Sequence, residues 1–174
     1  QDFNIQKTDL SRNNSSGSLA GGTGEMFFLA YNGNLTVKDV VVTSGLITPN
    51  ATPWYVAMAV NGKYAGGAAP SGKMEFENIK FNSAPGSTHF PRTSLGIWTY
   101  SNIDAGVSVK GCEFNSEANG THVDNRGGLH LSGLKGTTPL VIENSKFSGN
   151  YIYNGVANDI SMLSSTINVT ATTG

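Results

Sequence analysis

The chain has 174 residues and a net charge of −1, and only 13% of its residues are charged. The length predicts a single domain, and the near-neutral balance, with basic and acidic residues interleaved, argues against nucleic-acid binding. No apolar run approaches the roughly 18 residues that a membrane-spanning helix needs, so we expect no membrane span. Helical periodicity is absent and glycine is abundant, at 22 residues, so we predict an all-β chain.

Six copies of one eight-residue pattern follow each other along the chain. In most of them positions one and three are apolar, which is the alternation expected of a strand. The copies span residues 3–10, 35–42, 74–81, 107–114, 140–147 and 160–167. Copies that recur at about 33 residues indicate a solenoid, whose units bury their apolar faces against neighbouring units.

Position five of five copies carries a residue type that tolerates a bend or a left-handed backbone. These residues are Asp39, Asn78, Gly111, Asn144 and Ser164. Positions six and eight are then expected to point inward again, so each copy predicts a strand, a one-residue corner and a second strand. The only cysteine, Cys112, occupies position six and is predicted to be a buried core thiol.

A third strand precedes the pattern in four repeats, at residues 28–33, 57–62, 97–102 and 128–133. Alignment on the closing Gly or Asn puts Trp98 in an inward column with Met58 and Leu129, so we predict that Trp98 belongs to the core. Three short strands per repeat are typical of a single-stranded parallel β-helix solenoid. The prediction is one β-helix domain over residues 1–174, with about five to six coils.

Charged residues alternate in sign at positions four and seven of successive copies. The two columns contain Lys38, Glu77, Lys110 and Glu143, and Lys80, Glu113 and Lys146. Adjacent strands lie about 4.8 Å apart, and like charges directly opposite each other are destabilising. We therefore interpret these columns as a solvated structural face rather than as a track for a charged ligand.

The strand–Asn–strand pattern resembles the right-handed parallel β-helix proteins of the pectate-lyase-like superfamily. More specifically, Phe147-Ser-Gly-Asn150 and Gly127-Gly-Leu-His-Leu131 are similar to the FxxN and GGxI repeats of polymorphic outer-membrane adhesins. The resemblance implies a right-handed β-helix and a role in cell adhesion. A polar composition dominated by Ser, Thr, Asn and Gly agrees with a secreted or cell-surface protein.

Catalysis is the alternative to adhesion, because many members of this superfamily cleave polysaccharides. Their lyases bind calcium through acidic residues, and their hydrolases use two carboxylates at a fixed separation. The predicted outward positions of the third strand carry no carboxylate. His122-x-Asp124-x-Arg126 is a compact polar trio that suits catalysis, metal binding or loop hydrogen bonding. We predict no catalytic residue, metal or cofactor, and keep a polysaccharide lyase or hydrolase as the alternative.

The outward positions of the third strand predict a flat, uncharged face that could hydrogen-bond a neutral polysaccharide such as cellulose, or pack under a loop. The candidate ligand-binding residues on this face are Asn32, Asn61, Thr99, Ser101, His130 and Ser132. Aromatic rings stack on the apolar faces of sugars, and loops often carry binding residues. The loop candidates, each of which could instead anchor its own loop, are Trp54, Tyr55, Tyr64, Phe90, Tyr151 and Tyr153.

The copies extend from residue 3 to residue 167, so we expect a fragment or one domain of a longer secreted protein. The predicted function is a non-catalytic extracellular adhesin module that binds polysaccharide or another surface. End-to-end self-association, with the chain as the subunit of an extracellular fibre, is a further alternative.

Overall fold

A computed structural model describes residues 3–14, 24–30, 34–46, 55–61, 73–83, 93–103, 106–115, 127–134, 140–152, 156–157, 159–163 and 169–172. The regular structure within these ranges consists of β-strands. In chain order they are β1 (Phe3–Asn14), β2 (Gly24–Ala30), β3 (Leu35–Leu46), β4 (Tyr55–Asn61), β5 (Met74–Ser83), β6 (Thr93–Ile103), β7 (Val107–Lys110), β8 (Glu113–Asn115), β9 (Gly127–Leu134), β10 (Leu140–Glu143), β11 (Lys146–Phe147), β12 (Tyr151–Ile152), β13 (Val156–Ala157), β14 (Ile160–Leu163) and β15 (Val169–Thr172).

The first sheet joins five of the sequence copies in parallel register. Among the described residues its strand order is β1-β3-β5-β7-β10-β15, and β8 pairs with both β5 and β11. Position one of each copy lies opposite position one of the next, so that Met74 pairs with Leu35 on one side and with Val107 on the other. Successive copies therefore become neighbouring strands, as the repeat predicts.

The inward positions of these strands form the hydrophobic core. Positions one and three are buried in the second to fifth copies, with Leu35 and Val109 at 0% exposure and Ile142 at 5%, whereas Met162 at position three of the sixth copy is 48% exposed. Positions six and eight are buried on β3 and β5, and the rings of Phe81, Phe114 and Phe147 form a continuous stack. The predicted change of phase is confirmed for the copies on β3 and β5 and for the fourth copy, in which Cys112 and Phe114 are buried.

The change of phase takes place at one left-handed residue per strand. Asp39, Asn78, Gly111 and Asn144 have φ angles of 53°, 52°, 60° and 49°. Left-handed backbone is costly for most L-residues and least costly for Gly, Asn and Asp. The predicted bend at position five is therefore confirmed for these four residues, and Ser164 lies outside the described residues.

The second sheet has the order β14-β9-β6-β4-β2 among the described residues, and its strands are also parallel. Met58 lies opposite Leu95, which lies opposite Leu129. All three side chains are fully buried and join the same core as the first sheet. A short antiparallel pair, β12 with β13, stands apart from both sheets.

The architecture differs from the prediction. A β-helix with three short strands per coil would distribute each repeat over three sheets, whereas the described residues form two parallel sheets. Moreover, β1, β3 and β5 pass through the predicted corner as single strands of 10 to 12 residues. The prediction of a right-handed, single-stranded parallel β-helix solenoid of five to six coils is therefore wrong. The left-handed residue shifts the side-chain phase without moving the strand into another sheet.

Two sequence alignments also require correction. The sixth copy, residues 160–167, does not extend the first sheet: β14 pairs with β9 in the second sheet, and β15 pairs with β10 instead. In addition, Trp98 does not share a column with Met58 and Leu129. Its register partners are Asn61 and Ser132, because Leu95 and Ile97 take the inward positions of β6. The assignment of Trp98 to the core column was therefore wrong.

Candidate functional site

The outer face of the first sheet carries ion pairs between adjacent strands. Lys38 pairs with Glu77, Lys110 pairs with Glu143 at 3.0 Å, and Lys80 pairs with Glu113 at 3.5 Å. The hydrogen bond and the charge of Glu77 raise the pKa of Lys38. The lysines and glutamates are about a third to a half exposed, so water screens each pair and its contribution to stability is small. This arrangement agrees with the interpretation of the charged columns as solvated pairs that favour one register.

Polar side chains line the bends of the first sheet. The Nδ2 group of Asn78 donates a hydrogen bond to Oδ1 of Asp39, at 3.1 Å. At the next bend Gly111 lacks a side chain, and the Oδ1 atom of Asn78 lies only 2.6 Å from the place where its Cβ would be. The column is therefore closely packed, and Gly111 leaves the space that Asn78 uses.

Cys112 is a core thiol, as predicted. Its side chain is fully buried, and Sγ lies 3.6 Å from the carbonyl oxygen of Phe76 and 3.5 Å from that of Lys110. Burial raises the pKa of the thiol to about 11. Because the thiolate is the nucleophilic form, this environment suits packing and disfavours nucleophilic chemistry.

The face of the second sheet that is opposite the core is covered along part of its length. Ser94, Gly96 and His130 alternate with the core residues of β6 and β9, yet all three are buried, and His130 is only 1% exposed. Nδ1 of His130 lies 2.8 Å from Oγ of Ser161 on the adjacent strand β14. The sequence left two alternatives for this face, ligand binding or packing under a loop, and the burial of His130 agrees with a covered surface at this position.

Two residues further along β9, the same face of the second sheet is partly accessible. Ser132 is partly exposed, and its register row contains Asn61 and Trp98 on β4 and β6. The row continues to Ala30 on β2 and Leu163 on β14. It contains no carboxylate and no cation. We call Asn61, Trp98 and Ser132 the polar row.

Two other residues predicted for the flat face do not share the register of the polar row. Thr99 and Ser101 lie in the stretch between Trp98 and Ile103, where the register of β6 against β9 shifts. Asn32 lies outside the described residues. Sequence alignment missed Trp98 because Ile97 and Trp98 are consecutive apolar residues, which leaves the alternation ambiguous. Leu95 could have resolved this ambiguity, because Leu95 and Ile97 have the same two-residue spacing as their partners Leu129 and Leu131.

The aromatic candidates are spread over several parts of the chain. Tyr55 begins β4 and Tyr151 begins β12, but their side-chain surroundings lie outside what the structure describes. Four other loop candidates are outside the described residues: Trp54, Tyr64, Phe90 and Tyr153. The polar trio of His122, Asp124 and Arg126 is outside them as well. Of the described candidates, neither Tyr55 nor Tyr151 belongs to the register row of Asn61, Trp98 and Ser132.

The side chain of Asn150, the last residue of the FxxN-like motif, is buried and hydrogen-bonded. It is 2% exposed, and its Nδ2 group donates to the carbonyl oxygen of Phe114 at 3.0 Å and to Oδ1 of Asp159 at 3.3 Å. Its amide also packs at Gly128, where a Cβ would lie 3.2 Å from it. Asn150 thus links the end of β8 to the residues that precede β14.

Comparison of the chain with protein-family models, with curated proteins and with solved structures gives no match. The resemblance to polymorphic outer-membrane adhesins therefore stays a prediction. Within the described ranges, no cluster of three or more His, Cys, Asp or Glu residues is arranged to hold a metal ion. No helix in the described part of the chain has the length and apolar character needed to span a membrane.

Proposed function

We propose that this chain is a non-catalytic extracellular module that binds a neutral polysaccharide, as part of a secreted or cell-surface adhesin. The observation that carries the proposal is the polar row on the second sheet. Three adjacent parallel strands there place Asn61, Trp98 and Ser132 at one register position. Its composition offers hydrogen bonding without charge.

The chemistry of a sugar polymer suits such a row. Each sugar ring presents hydroxyl groups at its edge and C–H groups on its face. The amide of Asn61 and the hydroxyl of Ser132 can each donate and accept hydrogen bonds, and the indole of Trp98 offers a broad apolar surface with one donor. Neighbouring strands lie about 4.8 Å apart, so the row supplies groups for one extended ligand. Polysaccharide is therefore a better match than a charged polymer.

A sedimentation assay on insoluble cellulose, xylan and chitin tests this function. We expect the chain to sediment with at least one of these polymers, Trp98→Ala to lose retention, and Trp98→Phe to keep part of it because phenylalanine can still stack. Urea unfolding of each variant controls for loss of fold. The pair Trp54→Ala and Tyr64→Ala tests the aromatic loops separately.

The outcomes separate the alternatives. Retention by Trp98→Ala equal to that of the unmodified chain would refute the role of the polar row. Loss of retention in the Trp54 and Tyr64 variants alone would move the site to the loops. Shortened polysaccharide products would establish cleavage and overturn the non-catalytic assignment.

A further inference from the structure

A depression of about 250 Å³ lies on the outer face of the first sheet, away from the polar row. Its floor is β7, and its sides are formed by the two adjacent strands β5 and β10. The lining includes Lys73, Glu75, Gly106, Ser108, Lys110 and Val141.

The depression arises because β7 carries small residues between larger ones. Ser108 lies opposite Glu75 on one side and Val141 on the other. Gly106 precedes β7, where Lys73 precedes β5, and it has no side chain to fill the space beside that lysine. The corresponding positions of β5 carry long side chains, so the surface is lower over β7 than beside it.

The backbone around the depression is held by hydrogen bonds. The N–H of Lys73 donates to Oδ1 of Asn34 at 3.0 Å, and the carbonyl oxygen of Lys73 accepts from the N–H of Leu35 at 2.8 Å. The carbonyl oxygen of Gly106 accepts from the N–H of Met74, also at 2.8 Å. A fixed backbone reduces the conformational entropy that a ligand must overcome on binding.

Two of the three charged residues that line the depression, Lys73 and Glu75, differ from the other charged residues of this face. Lys38, Lys80 and Lys110 each pair with a glutamate. Within the described ranges, by contrast, neither Lys73 nor Glu75 forms an ion pair, and both are exposed. Lys73, Glu75, the Lys110 ammonium that pairs with Glu143, and the hydroxyl of Ser108 therefore line the same space, beside the aliphatic side chain of Val141.

We propose that this depression binds a single neutral pyranose ring of a polysaccharide. Its hydroxyls can accept from the Lys73 ammonium and donate to the Glu75 carboxylate, while a C–H group contacts Val141. The presence of both charges disfavours a strongly anionic or cationic ligand. The proposal shares its ligand class with the proposed function but uses a different sheet, so the two sites can be tested independently.

Nuclear magnetic resonance of the ¹⁵N-labelled chain tests the site with soluble trimers of glucose, xylose and mannose. We expect at least one trimer to shift the amide signals of Lys73, Glu75 and Ser108. Ser108→Trp places a large ring in the depression and should abolish those shifts. Thr43→Trp is the matched control, because Thr43 is a partly exposed position on β3 beyond the bend at Asp39. It should leave the shifts unchanged.

The results distinguish this site from the polar row. Amide shifts that persist in Ser108→Trp, or that disappear equally in Thr43→Trp, would overturn the depression as a sugar site. A different pair of results would overturn the depression as a sugar site and leave the proposed function standing. In that case Trp98→Ala loses retention on cellulose, and no trimer shifts the amide signals around Ser108. Amide shifts that are lost in Ser108→Trp and kept in Trp98→Ala would support the depression as a sugar site, whether or not the polar row binds polysaccharide.

Discussion

Replacement of Gly111 by alanine should destabilise the chain through two separate effects. The first is backbone strain, because Gly111 has a φ of 60° and an alanine pays about 1–2 kcal/mol in left-handed backbone. The second is crowding, because the new Cβ would lie 2.6 Å from Oδ1 of Asn78. Asn78 would have to move, and its hydrogen bond to Asp39, worth about 0.5–1.5 kcal/mol, would be lost or weakened.

Together these effects predict a loss of about 2–3 kcal/mol in the free energy of unfolding for Gly111→Ala. This is a large part of the roughly 5–15 kcal/mol that stabilises a typical domain. With a urea dependence of about 2 kcal/mol per molar, the midpoint of unfolding should fall by about 1 M. Circular dichroism during urea titration measures the change.

A double-mutant cycle with Asn78→Gly separates the two effects. Asn78→Gly removes the atom that the new methyl group meets, so Gly111→Ala should then cost only the backbone strain. The expected coupling is about 1 kcal/mol, well above the roughly 0.3–0.5 kcal/mol within which independent changes add. Equal costs in the two backgrounds would refute the crowding argument, and a neutral Gly111→Ala would refute the strain argument as well.

Three further predictions concern the core, the thiol and the charged columns. Phe114→Ala should lower the free energy of unfolding in urea by about 3–5 kcal/mol. The loss should exceed that of Phe147→Ala, because Phe114 is fully buried between two rings whereas Phe147 is only partly buried. Equal losses in the two variants would contradict this prediction. Burial raises the pKa of Cys112 from 9.0 to about 11, so the unfolded chain loses this proton at a lower pH than the folded chain. The stability advantage over Cys112→Ala should therefore be complete below pH 9 and be lost between about pH 9 and 11, and a pH-independent difference would speak against it. Glu77→Lys places three lysines side by side on adjacent strands. It should destabilise the chain by about 1 kcal/mol in low salt and by less in 1 M NaCl, because salt screens the repulsion. A loss of stability that does not depend on salt would indicate a packing effect instead.

The local structure of the first sheet was readable from the sequence because each feature has a local cause. Alternation predicted the buried positions, such as Leu35 and Phe76, and Asp, Asn or Gly at position five predicted the left-handed bends. The sign alternation of the charge columns agrees with the observed register, in which Lys38 lies opposite Glu77 and Lys110 lies opposite both Glu77 and Glu143. These predictions needed no knowledge of how distant segments meet.

The arrangement of the sheets and of the candidate site depended on information that the sequence pattern does not contain. A bend residue such as Asn78 has the same sequence signature whether the strand continues in its sheet or turns into another one, so the predicted β-helix was wrong. The prediction of an inward position for Trp98 failed because two consecutive apolar residues fit either phase of a strand. The burial of His130 depends on what covers the second sheet, and alternation along one strand says nothing about that.

The charged columns have a consequence for the number of repeats that the chain can contain. Geometrically, the first sheet repeats with every strand, since Leu35, Met74 and Val107 are equivalent partners. Electrostatically it repeats only with every second strand, because Lys38 and Lys110 have the same charge and Glu77 lies between them. Deletion of one unit, residues 74–106, would preserve the backbone register and yet bring two lysines together. Loss or duplication of units in pairs would preserve both, so recombination within such a gene should favour even changes in the number of repeats.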